Sequence, residues 1–147
     1  MDVQATPPGA DLGTQNELAA LSNAMVRLYK EQFGRGPTKA RSVYAGRDAL
    51  LCTLENSFTP AEAALVRMGE HQRLRVTRMF FQYATEEQFI GAVEEITGRK
   101  VRAFVSCVDA EKDVSSELFY LEPANSSSPA SSTGSSSSAT GEVESTS

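Results

Sequence analysis

Eleven of the last 25 residues are Ser, and Pro129, Gly134 and Gly141 interrupt the rest. A segment of that composition has too little apolar area to offset the entropy of ordering it, so 123–147 is expected to be a disordered tail. Solubilisation is its plain role, and a phosphorylated or partner-binding tail is the sharper one. Residues 1–13, with Pro7, Pro8, Gly9 and Gly13, read as a flexible leader. The foldable stretch is therefore 14–122, enough for one small domain. Charge follows the same boundary. All 14 Lys and Arg lie between Arg27 and Lys112, and residues 15–122 hold 15 of the 19 acidic residues, so this stretch carries a net charge of about -1 against -5 for the whole chain. A nearly neutral core excludes the strongly basic profile of a general nucleic-acid binder.

No segment approaches the ~20 apolar residues of a membrane span. The N-terminal residues Met1–Gly13 contain no basic residue and no apolar stretch, unlike a secretory signal. A cytoplasmic protein is expected, with any membrane role running through a partner. Cys52 and Cys107 sit in apolar, strand-like surroundings. They are expected to be free buried thiols, and a disulfide requires that their strands be neighbours. Two lone cysteines and a single His71 do not make a zinc site.

The core is well punctuated. Thr14 and Glu17 have capping-box spacing, and Leu18, Leu21, Met25, Leu28, Tyr29 and Phe33 follow at helical intervals. Gly34 offers a C-terminal cap and Gly36-Pro37 forbids continuation, so a helix is expected over 15–33. The segments 41–46 and 49–54 are β-prone around a Gly46-Arg47-Asp48 turn and predict an antiparallel hairpin. Thr59-Pro60-Ala61-Glu62 combines a capping box with Pro at the first helical position and starts a helix expected to run from 60 to about 83. Gly69 and the alternating Arg73-Leu-Arg-Val76 weaken its interior. Thr85 and Gln88 repeat the box spacing before a helix over 86–97, which Gly98 closes. Strands over 101–108 and 116–121 flank a polar turn at 109–113. The fold class is α+β, in the order α-β-β-α-α-β-β, with a four-stranded, mostly antiparallel sheet and helices packed on one face.

Enzyme constellations are missing from the sequence. It holds no Walker-type phosphate loop, no dinucleotide fingerprint and no Gly-x-Ser-x-Gly elbow. The acid pairs Glu86-Glu87 and Glu94-Glu95 fall on a short helix, the first in its opening turn, where carboxylates favour the helix dipole. A non-enzymatic protein without cofactor or metal is expected; an enzyme would require a pocket with a perturbed Glu or Tyr. Four features carry binding chemistry. The turn Gly34, Arg35, Gly36, Pro37 stops a helix and also presents Arg35 and free amides to an anion or carboxylate. Arg67, His71, Arg75 and Arg78 recur at intervals of four, four and three and are expected on one helix face. That face is either solvated or a surface for an anion or acidic partner, which the arginine fork suits. His71 by itself reads as surface decoration rather than a pH switch. In Met79-Phe-Phe-Gln-Tyr83, three aromatics in four positions exceed what one helix face can hide, so a partner or a second copy is expected to cover some of them.

Taken together, Tyr29-Lys-Glu-Gln-Phe-Gly-Arg-Gly-Pro37, Thr59-Pro-Ala-Glu62, Arg78 and Val93-Glu-Glu-Ile-Thr-Gly98 resemble a small bacterial domain, the MpsC family, over about residues 15–122. The family is named after the third component of a sodium-translocating, membrane-potential-generating system. The resemblance implies a soluble accessory or partner of such a system, with no known catalytic residue and no established cofactor. A docking domain for a membrane-system subunit is the leading expectation. A cytoplasmic small-anion sensor acting as a homodimer is the alternative.

Overall fold

The computed structural model describes residues 11–123; residues 1–10 of the leader expected over 1–13 and residues 124–147 of the Ser-rich tail expected over 123–147 lie outside it, while Leu12 and Gly13 belong to a helix rather than to a leader. The first helix, α1, spans Leu12–Phe33. It starts earlier than the Thr14–Glu17 spacing suggests, because the Asp11 carboxylate accepts the Thr14 N–H at 2.6 Å and takes the capping role. Gly34 ends it in the left-handed region at φ 76°, its N–H donating to the Lys30 carbonyl. Strands β1 (Lys39–Tyr44) and β2 (Ala49–Glu55) form the expected hairpin. Two helices follow, α2 (Pro60–Arg67) and α3 (His71–Thr97), then β3 (Val101–Asp109) and β4 (Val114–Leu121).

The break between the second and third helices falls at Gly69, not near residue 84. Gly69 takes φ 75°. Its N–H donates to the Val66 carbonyl and the Glu70 N–H to the Leu65 carbonyl, the paired bonds of a Schellman stop. Only glycine adopts that conformation without a Cβ penalty, so the residue that weakened the sequence pattern ends the helix. The box at Thr85 caps nothing. Its hydroxyl donates to the Phe81 carbonyl, one turn back within a continuous helix.

The sheet is antiparallel throughout, in the order β1-β2-β4-β3. Alternation decides its faces. Leu50, Cys52 and Leu54 of β2 and Ser115, Glu117, Phe119 and Leu121 of β4 point inward and are buried. On the opposite face the register aligns Val43, Leu51, Leu118 and Val105 into one cross-strand row. Helices α1 and α3 close over the inner face. Leu21, Met25, Leu28 and Tyr29 meet Phe89 and Val93 above Leu50, Leu54, Phe119 and Leu121. The rings continue from Phe89 to Phe104 to Phe119 as a stack, with centroids 5.9 and 4.6 Å apart. A smaller cluster of Phe58, Leu74 and Ala110 seats α2.

The topology also separates the cysteines. Cys52 pairs across to Glu117 and Cys107 to Ser116, so β4 lies between their strands. Two strand spacings are about 9–10 Å, beyond disulfide reach. Both thiols are free, but only Cys52 is buried; Cys107 is exposed on an edge strand, against the expectation for it.

Candidate functional site

The four basic residues expected on one helix face are divided by the Gly69 stop. Arg67 closes α2 and is exposed, while His71 opens α3. Arg75 is exposed on α3, and Arg78, one turn further along, is turned inward and only 8 % exposed.

Arg78 is a structural tie. Its Nε and Nη2 donate to both Glu62 carboxylate oxygens, at 2.5 and 2.7 Å. Its guanidinium lies 3.9 Å from the centre of the Phe33 ring. The capping box that starts α2 presents Glu62. Thr59 donates its N–H to Oε1, and the Glu62 N–H donates to the Thr59 hydroxyl. Burial pushes the Glu62 carboxyl up, but hydrogen bonds from Arg78 and Thr59 outweigh it and hold the group below its ordinary value.

Arg35 is engaged as well. It donates to the Phe58 carbonyl at 2.5 Å and to Asn56 Oδ1 at 3.1 Å. Asp113 accepts the N–H groups of Ser57 and Phe58, both at 2.9 Å. Arg35, Arg78 and Asp113 therefore pin the chain between β2 and α2. In the same turn, Pro37 is buried, and a Cβ on Gly36 would stand 3.2 Å from the Val26 carbonyl oxygen and from Val26 Cγ1. The Gly34–Pro37 turn is thus packed against α1 and tied to the loop before α2.

Of the eight expected residues, Arg75 and Arg78 meet at a pocket of about 180 Å³ between α1, α3 and the sheet. Its floor is Glu117, 2 % exposed. The Tyr29 hydroxyl donates to Glu117 Oε1 at 2.5 Å, whereas Oε2 is buried with no hydrogen-bond partner. Gln32 Nε2 is likewise buried and unpartnered. Ser115 Oγ lies within electrostatic reach of Tyr29 without closing a hydrogen bond. Burial raises the Glu117 carboxyl to about 7, against the opposing pull of Tyr29, Ser106 and Arg78. Burial and the adjoining Glu117 push the Tyr29 hydroxyl well above its ordinary value. A buried Glu–Tyr pair in a pocket is what an enzymatic reading requires, but such shifts accompany binding sites and structural networks equally. The pair marks a candidate site without assigning it a reaction.

Sequence reasoning missed Glu117 and Tyr29. A signal for the first was available: Glu117, Phe119 and Leu121 share one phase of a period-two strand, which places an acid on the buried face. Tyr29 lay within the helical stripe of the first helix and looked like plain core.

The second feature is on the outside of α3. Val76, Met79, Phe80 and Tyr83 are 40, 50, 71 and 69 % exposed. Their i, i+3, i+4, i+7 spacing makes one stripe, on the side opposite Leu74, Arg78 and Phe89, with Met79 at its edge, where it also borders the pocket. The aromatic run divides as its density suggests. Phe81 leans back edge-on to Phe33 at 5.3 Å, while Phe80 and Tyr83 face outward.

Fold and site define a small α+β domain in which two helices close an antiparallel sheet over a carboxyl-floored pocket. Among the described residues no helix is long and apolar enough to cross a membrane. The chain belongs to the MpsC family, whose model, described as "Na+-translocating membrane potential-generating system (MpsC)", matches residues 14–123. No curated protein and no solved structure matches. The motifs that carry the resemblance have architectural places here. Gly34 and Gly98 cap α1 and α3, and the α2 box delivers the Glu62 that Arg78 holds.

Proposed function

We propose that the domain is a non-enzymatic docking component of a membrane-associated assembly, cytoplasmic and peripheral to the membrane through its partner. The observation that carries this reading is the α3 stripe of Val76, Met79, Phe80 and Tyr83. A helix that buries one face and leaves an aromatic, apolar stripe on the other has the form of a helix-in-groove or helix-on-helix contact. The family description supplies the kind of assembly, a membrane-potential-generating system. The contact candidates move accordingly. Arg35 and Arg78 are engaged within the domain, so Arg75 remains a contact candidate beside the stripe, and Gly34–Pro37 and Arg78 act by holding the shape.

The test is affinity capture of the full chain from gently solubilised native cells, beside the doubly substituted Phe80→Glu/Tyr83→Glu chain. Enrichment of integral membrane subunits by the parent chain and their loss from the variant are expected. Recovery of the parent chain alone, or equal recovery of those subunits by the variant, refutes the reading. The alternative is a small-anion sensor acting as a homodimer, which uses the same stripe for self-association. Sedimentation of the purified chain separates the two. A dimer that the double variant dissolves favours self-pairing.

A further inference from the structure

The Glu117 cavity is used neither by the docking reading nor by the family description. Three observations define what it accepts. First, one carboxylate oxygen lacks a donor. Tyr29 supplies Oε1; Ser106, opposite Glu117 on β3, stands near enough to lower its carboxyl, but among the described residues no donor closes a hydrogen bond on Oε2, which is buried. Buried carboxylates are ordinarily paired or hydrogen-bonded on both oxygens. Second, among the described residues no side chain forms an ion pair with it, and Arg78 acts on it only at a distance. Arg78 is held by both oxygens of Glu62, and Arg75 is exposed and faces Asp109. Third, the walls set the aromatic and apolar surfaces of Phe33, Phe89, Phe104 and Met79 beside the amides of Gln32 and Gln82 and the hydroxyls of Ser106 and Ser115. A volume of about 180 Å³ equals the liquid share of about six waters. An unpaired carboxylate oxygen among aromatic rings is the arrangement that recognises an organic ammonium.

We propose that this cavity is a binding site for a small primary amine with an aromatic or branched aliphatic body, the ammonium donating to Glu117 Oε2 and the body lying against Phe89, Phe104 and Met79. An anion fits less well, because it would meet the ionised Glu117 while the nearest guanidinium is already neutralised by Glu62. The charged and titratable groups facing Glu117 are Tyr29 from α1, Arg75 and Arg78 from α3 and Cys52 from β2; on β3 the facing residue is Ser106, and Cys107 points to the opposite face. Burial holds Glu117 near 7 in the empty cavity. The amine selects the ionised form, so its affinity should rise about tenfold between about pH 6 and about pH 8.

The probe is benzylamine, titrated into the isotope-labelled full chain and followed by NMR. Expected are saturable shifts at the cavity residues, the tenfold pH dependence, a lower titration point of the Glu117 carboxyl carbon at saturation, and loss of binding in Glu117→Gln. The first three are read on the unsubstituted chain and hold whatever the variant does. The absence of saturable shifts overturns the proposal and leaves a water-filled cavity. Equal binding of benzyl alcohol overturns it in favour of a plain apolar void. Tighter binding of phenylacetate, strengthening as pH falls, overturns it in favour of an anion site. The docking proposal is separable, because Phe80→Glu/Tyr83→Glu should leave benzylamine binding unchanged.

Discussion

Replacing Glu117 by Gln removes the one acid, among the described residues, whose ionisation the fold resists. In the unfolded chain this carboxyl titrates near 4.5, and burial raises it to about 7 in the folded protein. Between those values the folded state holds a proton that the unfolded state has released. Stability therefore falls as pH rises through that window, and the loss is complete above pH 7. At about 1.4 kcal/mol for each pKa unit, the loss amounts to about 3 kcal/mol. Gln keeps the shape and a carbonyl that accepts from Tyr29, but it cannot ionise. A weaker hydrogen bond and an unpartnered amide cost it about 1–2 kcal/mol. Near pH 8 the variant should therefore be more stable than the parent by about 1–2 kcal/mol, and near pH 4, where the parent carries no ionisation penalty, less stable by about 1–2 kcal/mol. Urea unfolding followed by circular dichroism across this range measures both chains. Their difference cancels every other titrating group, including Glu62, whose lowered carboxyl stabilises the fold above its ordinary value of 4.5 and ceases to as pH falls below it. A difference that does not change with pH, or a variant less stable than the parent near pH 8, would refute the burial argument.

Three further outcomes follow from the same geometry. Glu62→Gln strands the Arg78 guanidinium among Phe33, Phe58 and Tyr29 and should cost about 3–5 kcal/mol in denaturant unfolding, whereas the double change Glu62→Met/Arg78→Leu should recover most of it. Gly69→Ala places a Cβ at φ 75°, with no neighbouring atom in its way, so the cost is conformational alone; a lowered urea midpoint equivalent to about 1–2 kcal/mol is expected, and an unchanged midpoint would show that the stop does not require glycine. A thiol reagent should label Cys107 at once and Cys52 only on unfolding, because Cys52 is buried and its thiol is pushed up to about 11.

How far the sequence reading carries depends on whether the deciding interaction is local. The α1 stop at Gly34, the α2 start at Thr59–Glu62 and the α3 stop at Gly98 each rest on backbone groups within one turn of the residue that satisfies them. Periodicity then assigns helix or strand, and the α+β order comes with it. Local rules also misled where two of them competed. Thr85 carries a capping spacing, but its hydroxyl is satisfied inside a helix, while Gly69, a mild weakness by propensity, takes the left-handed conformation that ends one. Spacing likewise placed Arg67 and Arg78 on one face only on the premise of an unbroken helix.

The sequence by itself determined the elements, their order, the apolar stripes and the family, because each is written in neighbours a few residues apart. Tertiary structure alone decided the use of the charged and polar residues. Glu117 and Tyr29 lie 88 positions apart and meet only because β4 pairs beside β2 beneath α1. Glu62 and Arg78 meet only because the Gly69 stop folds α3 back past α2. An ionisable side chain takes its chemistry from what desolvates and faces it, and those groups come from every part of the chain.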